Sequence, residues 1–211
     1  RKQAIEKERT RIATDMHDDF GASLSRIKFL SEKLQIGNPD AESNHKDLEK
    51  ISVYSDEMAE KMGEIVWALN KRYDSTGDLL SFCRAYASEY LADKPIQLHF
   101  HETTIPEMQL NGEIRRNIFL VMKEALHNIV QHAGATQIWL DIRFDGDLQM
   151  IIRDDGTGFD PEHVRPFSNG LSNMKKRIED IGGTISFETN PGTCITVRVN
   201  PGIRQNTYTS S

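Results

Sequence analysis

Cysteine is scarce in this chain. Cys83 and Cys194 are the two among 211 residues, and they lie far apart in no metal or redox spacing. That excludes a disulfide framework and points to a reducing compartment, with both thiols acting as small apolar side chains. Long apolar runs are missing too. A stretch such as Ile65-Val66-Trp67-Ala68-Leu69 is far short of the roughly 20 residues a membrane-spanning helix needs. No signal peptide opens the chain, which starts at Arg1 without an initiator methionine, so a soluble piece of something longer is expected. An excess of basic charge is also lacking. With 26 basic and 32 acidic residues the net charge is −6, which argues against nucleic-acid binding by this chain. Hydrophobic residues make up 37% and charged residues 27%, a balance that suits a modest core plus a thin, solvent-exposed helical element.

What is present divides into two parts. Residues 1–74 read as a helical hairpin. In its first arm Ile12, Met16, Phe20, Leu24, Ile27, Leu30 and Leu34 follow one another in steps of three or four, on one helix face. Gly37-Asn38-Pro39 breaks the pattern. In the second arm Leu48, Ile51, Ser55, Met58, Met62, Ile65 and Leu69 form a coiled-coil type seam. Two arms with one apolar stripe each cannot bury both stripes as an isolated pair. A second copy completing a four-helix bundle is therefore expected, which makes the protein a homodimer. The first 72 residues hold 13 basic and 14 acidic side chains, a solvated outer face.

Residues 75–203 have a different grammar, and 204–211 form a polar tail. Asp78 to Leu91 reads as an amphipathic helix, Pro95 to Phe100 as a strand and Gly112 to His132 as a long helix. Two alternating runs, Ile138 to Phe144 and Leu148 to Ile152, flank an Asp145-Gly146 turn, a strong hairpin signal. Leu171 to Ile181 is helical, stopped by Gly182-Gly183, and strands follow around Thr184–Glu188 and Cys194–Val199. The predicted class is α+β: a helical hairpin, then an α/β sandwich whose mixed, largely antiparallel sheet carries helices on one face.

Three clusters in the second part can carry chemistry. Glu124, Asn128 and His132 recur at four-residue steps on a helix otherwise built for a core. Polar groups on such a stripe cost free energy unless something binds them, and an amide oxygen near a carboxylate suits Mg²⁺. The same cluster is equally well an edge-of-core polar group. Asp154-Asp155-Gly156-Thr157-Gly158 follows a strand. Its glycines let backbone approach a flat ligand and Asp154 can accept a bond from an exocyclic amine, though an ordinary tight turn looks alike. Asn169-Gly170-Leu171, at a helix start, and Gly192-Thr193 offer free N–H groups to phosphate oxygens.

Taken in order, the four motifs form a joint pattern. It resembles the ATP-binding domain shared by histidine kinases, the Hsp90 chaperone, DNA gyrase and MutL. The resemblance implies ATP with Mg²⁺ as ligands, Asn128 as the Mg²⁺-binding asparagine and Asp154 as the adenine-reading aspartate. It also implies a lid from Gly156 to Ser168, with Gly156, Gly158, Gly170, Leu171, Gly192, Thr193 and His132 at the nucleotide and Glu124 in a catalytic role. The segment from Glu8 to Gly21, Glu-Arg-Thr-Arg-Ile-Ala-Thr-Asp-Met-His-Asp-Asp-Phe-Gly, is similar to the phosphoacceptor segment of the nitrate and membrane-fluidity sensor kinases. Glu64 to Asn70 is similar to the end of the second helix in a branch carrying large periplasmic sensor domains.

On that resemblance His17 is the phosphoacceptor, and Asp18 beside it takes the second ring N–H and so fixes the tautomer. The implied function is an ATP-dependent protein-histidine kinase of a two-component system, passing the phosphoryl group from His17 to an aspartate on a response-regulator receiver domain. The implied setting is the cytoplasmic part of a membrane-anchored inner-membrane sensor. The alternative is a dimeric nucleotide-binding module that signals without phosphotransfer. Two departures stand out. Ala22 stands where relatives often carry the glutamine that positions a water for phosphatase action, and Ser168-Asn169-Gly170-Leu171 lacks the first glycine of the common G-x-G-L form.

Overall fold

The computed structural model describes residues 20–36, 41–158, 169–189 and 191–202, so the expected phosphoacceptor pair, His17 and Asp18, lies outside the described residues. The chain divides into two compact units, Arg1–Leu69 and Asn70–Ser211. Among the described residues no helix is long and apolar enough to cross a membrane.

The first unit contains helix α1, residues 20–36, and helix α2, Ala41–Leu69. Their facing sides share polar and apolar contacts. Lys33 Nζ donates to Asp47 Oδ2 at 2.6 Å, and Asp47 is buried near the connected ends of the two helices. The Arg26 guanidinium lies 5.6 Å from the Tyr54 ring centre. Ile27, Leu30 and Leu34 on α1 and Ile51, Tyr54 and Met58 on α2 are half-buried. The single seam expected for α2 is thus split. Ile51 and Met58 turn inward, whereas Leu48 and Met62 remain 55% and 56% exposed and Leu24 on α1 is 54% exposed. An apolar stripe wider than one helix contact explains this, because a single neighbour covers only part of it.

The second unit begins with a short turn, Lys71–Tyr73, capped by the Asn70 side chain accepting from Arg72 N at 3.0 Å. Residues 70–74, which the sequence pattern leaves with the hairpin, are held here by Arg115. Its guanidinium donates to the Tyr73 carbonyl and, at 2.8 Å, to Asp74 Oδ1, and the side chain is 1% exposed. Burial lowers the pKa of this arginine, opposed by the carboxylates of Asp74 and Asp78.

Helix α3 spans Thr76–Leu91, two residues earlier than the periodicity places it. A capping box sets the start: Ser75 Oγ accepts from Asp78 N at 3.1 Å while Asp78 Oδ2 accepts from Ser75 N at 3.3 Å. Strand β1 is Gln97–Glu102, and helix α4 is Gly112–Asn128, capped by Asn111 Oδ1 accepting from Ile114 N at 2.7 Å. Where the periodicity runs on as one helix to His132, α4 ends at Asn128 and passes into a π turn, Ile129–Ala133, closed by left-handed Gly134. Strands β2, Gln137–Phe144, and β3, Leu148–Asp154, form the expected hairpin. Helix α5, Asn169–Asp180, and strands β4, Thr184–Thr189, and β5, Thr193–Val199, complete the unit.

The sheet order is β1-β2-β3-β5-β4. β1 runs parallel to β2 and every other pairing is antiparallel, the mixed sheet the sequence predicts. Alternation splits the faces. Ile138, Leu140, Ile142, Met150, Ile152, Ile195 and Val197 are buried on one side, together with Leu79 and Cys83 of α3, Ile118, Val121, Met122 and Ala125 of α4, and Met174 and Ile178 of α5. The opposite face is polar and aromatic, with His99 stacked on Trp139 at 5.4 Å and Arg153 donating to Asp141 at 3.2 Å. Strand ends and helix ends meet at one rim of this sandwich, and the candidate site is built there.

Candidate active site

Asp154 is the last paired residue of β3, opposite Ile138, and is only 5% exposed. Both carboxylate oxygens accept backbone bonds: Oδ1 from Gly156 N at 2.8 Å and Oδ2 from Thr193 N at 3.1 Å. A buried acceptor is thereby fixed in place by the two glycine-bearing segments the sequence singles out. Gly192, at φ +78°, must be glycine twice over. Its backbone is left-handed, and a Cβ would overlap the Asp154 carbonyl. Gly158 packs on the same corner, where a Cβ would stand 2.8 Å from the Gly192 carbonyl oxygen.

The helix side of the site comes from α4. Glu124 and Asn128 are half-buried one turn apart, as four-residue spacing requires. The start of α5 reaches them. A Cβ on Gly170 would overlap the Glu124 carboxylate and lie 3.6 Å from the Asn128 amide nitrogen. Leu171 follows, half-buried. His132, on the same stripe by counting, sits in the π turn and is exposed. The wider turn departs from the 3.6-residue period that groups it with Glu124 and Asn128. His127 also faces outward, with Nδ1 3.3 Å from the Tyr90 hydroxyl.

The end of α4 then meets the loop after β3. The Ala133 carbonyl, left over at the helix end, accepts from Thr157 N at 2.9 Å, and a Cβ on Gly156 would overlap that same carbonyl. Asn128, Asp154, Gly156, Gly170, Gly192 and Thr193 therefore belong to one connected rim. A cavity of about 430 Å³ adjoins it, lined by Trp139, Arg153, Asp154, Glu188, Gly192 and Cys194 among others. Ten residues of the expected lid, 159–168, lie outside the described residues.

Sequence reading misses two polar anchors of this unit, one at the start of α4, away from the site, and one beside it. Arg115 lies among the inward residues of α4, and its only signal is an uncompensated charge in an apolar stripe. Asp155 reads as part of a tight turn, but its carboxylate Oδ1 accepts from Thr136 N at 2.7 Å and Gln137 N at 2.8 Å, and Oδ2 from Thr136 Oγ1 at 2.6 Å. Those bonds, the Thr136 hydroxyl and Gln137 amide foremost, hold its pKa below the usual carboxylate range.

Among the described residues no group of three or more histidine, cysteine or acidic side chains could hold a metal ion. A cation that keeps its waters and takes one protein oxygen plus phosphate oxygens needs no such group, and Asn128 can supply that oxygen.

Comparison with known proteins bears on both units. Residues 113–203 match the family described as histidine kinase-, DNA gyrase B- and HSP90-like ATPase, and residues 8–74 match a histidine kinase family. The signal transduction histidine-protein kinase/phosphatase UhpB of Salmonella typhimurium is 28% identical over 91% of this chain and 38% of its own length. The sensor histidine kinase DesK of Bacillus subtilis is 26% identical over 92% of this chain and 51% of its own. The nitrate/nitrite sensor protein NarQ of Escherichia coli is 24% identical over 88% and 33%. The chain thus spans between a third and about half of these relatives. In fold it is similar to the histidine kinase domain of a blue-light activated kinase from Erythrobacter litoralis, at a TM-score of 0.57 and 15% identity, covering 92% of this chain and 95% of that one.

Proposed function

Because the chain belongs to the sensor histidine kinases, matched over its helical and its nucleotide-binding parts in turn, we propose that it autophosphorylates His17 from ATP and passes the phosphoryl group to an aspartate of a response-regulator receiver domain. The observation that carries this is Asp154, a buried acceptor pinned by Gly156 N and Thr193 N at the rim where Asn128 and Gly170 also sit. An acceptor held that way selects a donor such as the adenine amine. The N–H groups at the α5 start suit phosphate oxygens. Mg²⁺ held by Asn128, when bound, offsets charge on the phosphates during transfer.

The imidazole nitrogen of His17 attacks the γ-phosphorus, a phosphorus–nitrogen bond forms, and the bond to the β–γ bridging oxygen breaks to release ADP. Asp18 holds the other ring N–H and so keeps the attacking nitrogen unprotonated. Glu124, one turn before Asn128, orients the reacting groups. The protein acts as a homodimer. Leu24, Leu48 and Met62, each more than half exposed in a single chain, are the residues a second hairpin would cover. The matched sensor relatives are two to three times as long as the matched segment, which supports reading this chain as the kinase part of a longer sensor protein.

The test is incubation with γ-labelled ATP and Mg²⁺ beside His17→Ala and Asn128→Ala. Acid-labile, alkali-stable label on the wild type alone is the expected result. Label surviving in His17→Ala would show that another group is the acceptor. ADP binding without any label would replace the kinase by a nucleotide-holding signalling module.

A further inference from the structure

Adjacent aspartates at the end of β3 do different things. Asp154 is buried and turned to the site; Asp155 is exposed and turned to the start of β2. The Asp155 carboxylate takes three bonds from Thr136 and Gln137, at 2.6 to 2.8 Å, and its own N–H donates to the Gln137 carbonyl at 3.3 Å. Two residues on, Thr157 N donates to the Ala133 carbonyl at 2.9 Å, and between them Gly156 lies so close to that carbonyl that no Cβ fits. Three consecutive residues, 155–157, thus fasten the exit of β3 to the segment 133–137.

That segment is where fastening is needed. The β2–β3 ladder ends at the pair Ile138–Asp154; beyond it β1 still reaches the start of β2, with Gln97 N donating to the Thr136 carbonyl at 2.8 Å, but β3 has only the Asp155–Thr157 bonds. On the other side α4 has already loosened into a π turn and a left-handed Gly134. Asn128 therefore connects to the sheet through a π turn and a left-handed glycine, and the bonds of residues 155–157 are what tie that stretch to the strand carrying Asp154. We propose that Asp155 is a positioning residue that fixes the span between Asp154 and Asn128, and so sets the fit of a nucleotide that must touch both. This rests on the nucleotide reading above. The carboxylate is turned to the start of β2, so its effect passes through Thr136 and Gln137.

Asp155→Ala removes all three bonds. Asp155→Asn keeps a carbonyl oxygen for the two amides and sets its NH₂ against the Thr136 hydroxyl, which can accept. Equilibrium binding of ADP with Mg²⁺ should weaken about tenfold in Asp155→Ala, the equivalent of one charge-assisted bond lost net, and return to within about threefold of wild type in Asp155→Asn. The nucleotide-free melting temperature should fall only slightly, since the apolar core is untouched. Thr136→Val, an exposed site, removes one bond of the three, should weaken ADP by about threefold, and decides the matter if Asp155→Ala does not fold.

Unchanged ADP affinity in both Asp155→Ala and Thr136→Val would overturn the proposal. So would an Asparagine variant as weak as the alanine one, which would mean that the charge acts on the ligand. A wild-type chain that binds no ADP would instead overturn the nucleotide reading itself.

Discussion

The two units close their cores to different degrees. In the nucleotide unit the sheet face and three helices bury Ile138, Leu140, Met150, Ile152, Phe119, Met122 and Ile178 almost completely. The hairpin buries Ser23, Asp47 and Trp67 but leaves Leu24, Phe29, Leu48, Val53, Met62 and Val66 more than half exposed. Its innermost ion pair, Lys33–Asp47, joins α1 to α2 with Lys33 still 43% exposed, so its contribution is modest. A sheet covered by helices satisfies its apolar face within one chain. Two helices cannot, because each presents a stripe broader than one neighbour covers. One unit covers its apolar face within a single chain, and the exposed stripe of the other is what the proposed second hairpin would cover.

The largest effect should come from breaking that distinction at the hairpin. Leu48→Glu with Met62→Glu places four like charges in a two-fold interface, where opposed charges of one sign cost several kcal/mol. Sedimentation should show a dimer in the wild type and a monomer in the variant, with the nucleotide unit still binding ADP. A variant that stays dimeric would mean that another surface joins the copies and that the exposed stripe is covered otherwise.

A smaller effect tests the finished unit. Arg115 is a fully buried charged side chain beside residues 70–74, a segment that has no sheet or long helix of its own. Arg115→Met keeps the bulk but leaves the Tyr73 carbonyl and the Asp74 carboxylate without their donor. Urea unfolding of the nucleotide unit should lose about 2–3 kcal/mol, less than a fully buried pair because Asp74 is partly exposed. A loss under about 0.5 kcal/mol would show that the segment is held by its capping contacts alone.

These two variants also mark what the sequence makes legible. The sheet is readable because its strands alternate and its hairpin carries Asp145-Gly146. Part of the candidate site is readable because Gly156 and Gly192 stand where backbone approaches backbone and Gly170 where side chains of α4 do, and such glycines leave a trace in the pattern. Contacts that depend on a departure from periodicity leave none. The π turn at Ile129–Ala133 carries His132 off its expected stripe, and nothing in Ile-Val-Gln-His-Ala announces it. The Asp155 clamp is hidden because its partners are two backbone amides and a hydroxyl 18 and 19 residues away, and any residue could supply the amides. The split of the α2 seam is a matter of how many neighbours share it, which periodicity along one chain does not count.

The smallest perturbation reads solvent access alone, one thiol in each unit. Cys83 sits on α3 in the finished core, wholly buried, and burial pushes its thiol pKa up to about 12. At pH 8 it is protonated even before access is considered, and a thiolate-seeking reagent reaches it only when the unit unfolds. Cys194 is half-buried and should react first. In a Cys194→Ser chain, Cys83 should react at least about a thousandfold more slowly than in urea, at a rate independent of protein concentration. A cysteine placed at Leu48 in the same background should do the opposite: react quickly in dilute solution and slow as concentration rises, because its cover comes from a second chain. Equal concentration dependence at both positions would mean that the nucleotide unit, too, is completed by its partner.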